Sequence, residues 1–228
     1  MPSAKGDKTP IKQPELFPPE KGHIGTDESG KGDYFGPLVV AGVFLPDGQE
    51  DVLRELGIKD SKRTADNRCR ELAELVKQSY KHSIVAIGPE KYNELYDKFR
   101  NLNKLLAWAH ARVIENILEG TRAGLVITDR FGDERFVLNA LMKKGKTIEL
   151  VQKVRAEEDM AVAAASILAR AEFLSRLHFL GQVVGLDLPK GSSPAAEAAG
   201  RELVKRDGPD ILKKVAKLHF KVTQKVLG

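Results

Sequence analysis

The sequence predicts an α/β fold, in which helices cover a mixed β-sheet and the chain ends in a helical region. Near the start, short apolar segments are separated by glycine-rich turns, as in consecutive strands. From about residue 100, segments of strand length alternate with longer segments of helical periodicity. Of the 228 residues, 42% are hydrophobic and 30% are charged, which suits one globular domain of ordinary size.

The early elements follow a proline- and lysine-rich segment, residues 1–22, that we expect to be a flexible tail. The folded domain is expected over residues 23–228. Its first strand is predicted at residues 23–28 and its second at Pro37–Leu45, with a tight loop at Ser29–Asp33 between them. A helix at Lys62–Gln78 and a short strand at Ser83–Ile87 follow.

The later elements alternate between helix and strand. Asn101–Leu118 has a strong amphipathic pattern, and Leu125–Thr128 is a short apolar strand that ends directly in Asp129. The remaining predicted elements are a helix at Glu134–Lys143, a strand at Ile148–Val151, a helix at Glu158–Leu180, and two C-terminal helices at residues 194–206 and 209–226.

The charge distribution favours a polyanionic partner. The net charge is +5, and residues 201–228 hold eight basic against three acidic residues, so they carry the whole excess. A solvated helix surface explains the same pattern equally well. The apolar segments are too short to span a membrane, and the start lacks a secretory signal. The single cysteine, Cys69, cannot form an internal disulfide, so we expect a cytoplasmic protein.

Three groups of acids are candidate metal ligands. Asp27 and Glu28 lie between a strand and a glycine turn, Asp129 ends a strand, and residues 157–159 (Glu-Glu-Asp) precede a helix. Oxygen ligands suit Mg²⁺ or Mn²⁺ rather than zinc. A solvated acidic pair and a helix cap at Glu158 or Asp159 are the alternatives. The five histidines are scattered, and we interpret them as structural or surface residues.

Two lysines and a glycine loop are candidate phosphate contacts. Gly30, Lys31 and Gly32 allow close backbone approach and provide a cation, although a plain hairpin turn has the same pattern. Lys62 opens a predicted helix whose amino end favours anions, or it is simply an exposed lysine at a capped helix start.

Several motifs together resemble the type 2 ribonucleases H, and within them ribonuclease HIII. The stretch Gly25–Leu38 (GTDESGKGDYFGPL) resembles the family signature. The other similar motifs are Lys59–Lys62 (KDSK), Asn101–His110 (NLNKLLAWAH), Ala161–Arg170 (AVAAASILAR), Leu188–Gly191 (LPKG) and Lys217–Phe220 (KLHF). The resemblance covers about residue 23 to the end.

The resemblance implies a ribonuclease H-like fold and cleavage of the RNA strand of RNA/DNA hybrids by a two-metal mechanism. It implies two Mg²⁺ (or Mn²⁺) ions held by Asp27, Glu28, Asp129 and one acid of the third group. We choose Glu157 because Arg155-Ala-Glu157 matches a family element, while Glu158 and Asp159 stay possible. The loop Gly30–Gly32 is expected to sense the ribose 2′-hydroxyl, and Lys31 and Lys62 to position the backbone. A monomer is expected.

Two departures from the family pattern leave alternatives open. Ribonuclease HIII usually begins with a hybrid-binding domain, whereas 22 residues precede the predicted catalytic region here. Ribonuclease HII uses a tyrosine in its C-terminal half to recognise RNA-DNA junctions, whereas all four tyrosines here precede residue 97. Cleavage at single embedded ribonucleotides, or hybrid binding without turnover, are the rival functions.

Overall fold

A five-stranded mixed sheet forms the centre of the protein. The computed structural model describes residues 21–58, 64–129, 132–133, 135–141 and 145–228. Its strands are β1 Gly22–Ser29, β2 Leu38–Pro46, β3 His82–Ile87, β4 Leu125–Asp129 and β5 Glu149–Lys153, in the order β3-β2-β1-β4-β5. β2 is antiparallel to β1 and β3, whereas β4 is parallel to β1 and β5. The predicted mixed sheet is confirmed.

Helices cover both faces of this sheet. The described residues contain α1 Glu50–Glu55, α2 Asp66–Ser79, α3 Pro89–Phe99, α4 Leu102–Leu118, α5 Arg135–Ala140, α6 Met160–Val184, α7 Pro194–Asp207, α8 Ile211–Val215 and α9 Lys221–Leu227. None of these helices is both long and apolar enough to cross a membrane.

The alternating side chains of β2 show how the two layers are built. Val39, Ala41 and Val43 join the core beneath α6, α2 and α7, whereas Leu38 and Val40 join the core beneath α4. Successive strand residues point to opposite faces, so a strand covered on both sides is apolar throughout. This explains the unbroken apolar run in the sequence.

Gly25 allows α6 to lie unusually close to the sheet. A Cβ atom at Gly25 would lie 2.2 Å from the backbone carbon of Ala161 and 2.2 Å from the backbone nitrogen of Val162. No side chain fits such a gap, because backbone atoms cannot yield as a flexible side chain can. The close approach places the start of α6 beside β1.

Some element predictions were incomplete. The helix predicted at Lys62–Gln78 is seen as α2 from Asp66, while its predicted start lies outside the described residues. Two helices, α1 and α3, were not predicted. Pro89 follows the predicted strand Ser83–Ile87 and begins α3, as proline is favoured in the first turn of a helix. Of the expected tail, residues 1–20 lie outside the described residues, and Gly22 pairs with Pro46 in the sheet.

The prediction of one helix at residues 209–226 was wrong, because α8 and α9 are separate. Between them, Ala216 forms a β-bridge with Phe35, and the backbone nitrogen of Lys217 donates to the Tyr34 carbonyl over 2.9 Å. The Lys217 N–H that donates to this distant loop cannot also donate to a carbonyl one turn back in a helix. The break therefore results from a tertiary contact.

Candidate active site

Two parallel strands bring Asp27 and Asp129 to the same edge of the sheet. The described pairing of β1 with β4 ends at Thr26 and Thr128, and the two aspartates are the next residue on each strand. Ligand-binding groups of open α/β sheets lie at this carboxyl edge. Residues 102 positions apart thus lie side by side.

Glu28 lies next to Asp27 but points to the opposite face, toward α4. Its Oε1 is 3.3 Å from Lys31 Nζ, and its Oε2 is 3.4 Å from Nε2 of the fully buried His110. His110 Nδ1 lies 2.9 Å from the Thr26 hydroxyl. Burial raises the pKa of the Glu28 carboxyl, but the interactions with His110 and Lys31 outweigh burial and hold the pKa below its ordinary value.

The three acids at residues 157–159 have different surroundings. Asp159 caps α6, accepting from the backbone nitrogens of Ala161 and Val162 at 3.0 and 3.1 Å, and its carboxylate is 2.9 Å from His23 Nε2. Burial raises the pKa of Asp159, but His23 and the cap lower it further than burial raises it. The predicted capping role of Asp159 is confirmed. Glu158 is exposed.

Glu157 faces the same cavity as the other acids. It belongs to a short 3-10 helix, Ala156–Glu158, that follows Arg155 in a left-handed conformation with φ 57°. The Ala156 backbone nitrogen is 3.5 Å from Asp129 Oδ1, which ties this turn to the end of β4. The cavity measures about 440 Å³ and is lined by Asp27, Glu28, Asp129 and Glu157 together with the loop Gly30–Gly32. Lys62 lies outside the described residues.

The donor chemistry of this cavity suits hard divalent cations. Its described lining offers carboxylate oxygens but no histidine or cysteine, which is the ligand chemistry of Mg²⁺ and Mn²⁺. The buried Oε2 of Glu28 accepts no well-aligned hydrogen bond from the described residues. In the described ranges, no three His, Cys, Asp or Glu side chains lie close enough together to hold a metal ion as they stand.

The glycine loop is held in place by the C-terminal region. Gly30 needs its positive φ of 85°, and a Cβ there would lie 2.2 Å from the Pro37 carbonyl oxygen, whereas a Cβ at Gly32 would meet nothing within 4 Å. Asp33 Oδ1 accepts from the Gly191 backbone nitrogen at 2.6 Å. Gly30 thus shapes the loop, and Gly32 leaves room for a ligand.

Lys217 also holds the end of this loop, through hydrogen bonds to its backbone. Its fully buried ammonium donates to the carbonyls of Asp33 at 2.8 Å and Gly36 at 2.7 Å, and lies 3.4 Å from that of Phe35. Burial lowers its pKa to about 7. A buried cation surrounded by carbonyl oxygens fixes the backbone that supplies them.

Sequence reasoning missed several residues of the site. Arg170 and Lys190 line the cavity, and both contact Asp66, at 2.6 and 2.8 Å. The hydrogen bonds from Lys190 and Arg170 lower the pKa of Asp66. Arg170, Lys190 and His110 each lie in a motif quoted above, but only the fold shows that these positions meet. The interpretation of the histidines as structural or surface residues does not include the contact of His110 with Glu28.

Comparison with known proteins identifies the family. The family model Ribonuclease HII matches residues 24–223. Ribonuclease HIII of Protochlamydia amoebophila (strain UWE25) is 48% identical over 206 residues, covering 90% of this chain and 68% of that protein. Ribonuclease HIII of Chlamydia felis (strain Fe/C-56) is 44% identical over 208 residues, covering 89% and 69%. The chain belongs to the ribonuclease HII family.

A solved structure agrees with this family assignment. The crystal structure of Bst-RNase HIII in complex with Mn²⁺ matches with a TM-score of 0.84 and 30% identity, covering 92% of this chain and 70% of that one. The predicted similarity to ribonuclease HIII, the ribonuclease H-like fold and the assignment as a ribonuclease are confirmed. The chain spans about 70% of the length of these relatives.

Proposed function

We propose that the protein is an endonuclease that hydrolyses the RNA strand of RNA/DNA hybrids, leaving 5′-phosphate and 3′-hydroxyl ends. The observation that carries this proposal is the meeting of four acids from three chain segments, Asp27, Glu28, Asp129 and Glu157, on one cavity beside the glycine loop. Family membership supports the same reaction.

The four acids would hold two divalent cations, Mg²⁺ or Mn²⁺. Bound there, the ions supply an activated water and neutralise charge on the departing 3′-oxygen. Asp27 and Asp129 approach from the parallel strands, Glu28 from the α4 side, and Glu157 from the turn before α6. The protein then needs no nucleophile of its own.

The substrate is bound by backbone groups and cations around the acids. The open space at Gly32 allows the loop to approach a ribose and sense its 2′-hydroxyl. Lys31, Arg170 and Lys190 line the cavity and provide positive charge for the phosphate backbone. Lys62, at the start of a helix predicted from the sequence, is a further proposed contact to the phosphate backbone.

Replacing Asp129 tests the function directly. We expect Asp129→Asn to fold normally and to lose at least about a thousandfold in kcat/KM on a uniform hybrid, roughly 4 kcal/mol of transition-state stabilisation. The matched control is Asp133→Asn, an exposed aspartate that pairs with Arg135. Parental cleavage by Asp129→Asn, or hybrid binding without Mg²⁺- or Mn²⁺-dependent product by the parental protein, would contradict the proposal.

The same assay identifies the substrate and the fourth acid. We expect a uniform hybrid to be cleaved faster than a duplex with one embedded ribonucleotide; the reverse order would indicate a junction enzyme. Among the third group, Glu157→Gln should abolish cleavage, whereas the exposed neighbour Glu158→Gln should leave it within about threefold of the parental rate, as for a surface substitution.

A further inference from the structure

His110 is a fully buried polar residue in an otherwise apolar stretch of α4. Its helix neighbours Leu106, Ala109 and Ile114 belong to the core on this face of the sheet. Burying an imidazole costs free energy unless both ring nitrogens are engaged. A leucine or methionine would fill the same space at lower cost, so packing alone does not explain a histidine here.

Both ring nitrogens of His110 face β1. Nδ1 lies 2.9 Å from the Thr26 hydroxyl, and Nε2 lies 3.4 Å from Glu28 Oε2. A carboxylate can only accept, so Nε2 carries a hydrogen when it faces Glu28, and in the neutral ring Thr26 then donates to Nδ1. The Thr26 contact orients the ring so that Nε2 faces the Glu28 carboxylate.

The two oxygens of Glu28 have different surroundings. Oε2 is buried and faces His110, whereas Oε1 is 3.3 Å from the cavity-lining Lys31. A donor that faces one oxygen favours one orientation of the carboxylate, and therefore one position of the other oxygen. Partners that orient a metal ligand in this way typically change metal affinity when they are removed.

We propose that His110 is a positioning residue: through its contact with Oε2, it holds the Glu28 carboxylate so that Oε1 remains available to a divalent cation in the cavity. The inference rests on the proposed function, because it treats Glu28 as a metal ligand. It adds to the site a buried residue on α4, which packs on the other face of the sheet from α6.

A matched pair of substitutions tests this role. The amide nitrogen of His110→Gln can take the place of Nε2, whereas the shorter His110→Asn can replace only Nδ1 and reach Thr26. Mn²⁺ binding to the full chain without nucleic acid is measured by titration calorimetry. We expect His110→Asn to weaken Mn²⁺ binding about 10- to 100-fold and His110→Gln to remain within about threefold of the parental affinity.

A double substitution separates positioning from general destabilisation. In a Glu28→Gln background, His110→Asn should have no additional effect on Mn²⁺ affinity, because the residue that it positions is already lost. Ile114→Ala, buried one turn along α4, should lower the melting temperature without changing Mn²⁺ affinity. If His110→Asn does not fold, His110→Leu replaces it in the same comparison.

The outcomes distinguish this inference from the proposed function. Parental Mn²⁺ affinity in a folded His110→Asn or His110→Leu protein would overturn the role of His110, as would equal losses in the asparagine and glutamine variants. If Glu28→Gln itself leaves Mn²⁺ affinity unchanged, the proposed metal site fails instead. Loss with Glu28→Gln but not with His110→Asn refutes the positioning role alone.

Discussion

The buried charges of Lys217 and Glu28 have opposite surroundings. The three donors of the Lys217 ammonium face three carbonyl oxygens of the loop before β2. The Glu28 carboxylate, which can accept about four hydrogen bonds, has only the 3.3 Å contact with Lys31 and the 3.4 Å contact with His110 among those described. A buried amine whose donors are paired with carbonyls holds structure together, whereas an incompletely satisfied carboxylate retains capacity for a ligand.

The largest expected effect concerns the function of Glu28. We predict that Glu28→Gln lowers kcat/KM on a uniform hybrid by at least about a thousandfold, because an amide loses the charge that holds a divalent cation. The free energy of unfolding should change by less than about 1 kcal/mol, since glutamine fills the same space. Urea denaturation and a cleavage assay measure the two effects. If Glu28→Gln instead lowered the free energy of unfolding as strongly as it lowers activity, Glu28 would be a structural residue like Lys217.

The second prediction concerns the stability that Lys217 provides. Lys217→Met leaves buried carbonyls without their donor, so we expect the free energy of unfolding to fall by about 3 kcal/mol. At this chain length the melting temperature should fall by roughly 10 °C. The control is Lys221→Met, which removes an exposed lysine four residues later. Equal melting temperatures for the two variants would mean that the carbonyl contacts contribute little.

The smallest expected effect is a pH dependence caused by Lys217. Burial lowers its pKa to about 7 from an ordinary 10.5, so between these values the unfolded chain binds a proton that the folded chain lacks. The free energy of unfolding should therefore rise with pH in this window, by up to about 1 kcal/mol per pH unit. Lys217→Met has no group that titrates in this way. The difference in the free energy of unfolding between the parental protein and Lys217→Met should therefore increase from pH 6.5 to pH 8.5, as measured by urea titrations. If the free energy of unfolding changed equally with pH in the parental protein and in Lys217→Met, the pH dependence would not come from Lys217.

The local elements of the fold were readable from the sequence. The strand patterns around Asp27 and before Asp129 predicted β1 and β4, and the apolar periodicity predicted α4 and α6. Alternation and helical spacing are properties of consecutive residues, so a single chain segment reveals them. The family motifs went further, because they link several segments to one known fold.

The pairing of segments was decided by the tertiary structure. The 209–226 stretch has an unbroken helical pattern, yet the β-bridge of Ala216 with Phe35 divides it, since the Lys217 N–H donates to the distant Tyr34 carbonyl instead of to a helical carbonyl. The contact of His110 with Glu28 was equally invisible, because 82 residues separate the two positions and nothing in either segment specifies the other.

The sequence by itself determined the composition of the candidate site: which acids lie near the ends of strands and helices, where the glycine turn lies, and which family the motifs resemble. Only the tertiary structure decided that Asp159 caps α6 while Glu157 lines the cavity. It also decided that His110 contacts Glu28 and that Lys217 contacts the Gly36 carbonyl. The physical reason is that residue type and spacing constrain local geometry, whereas burial and contact depend on how α4, α6 and the C-terminal helices pack around the sheet.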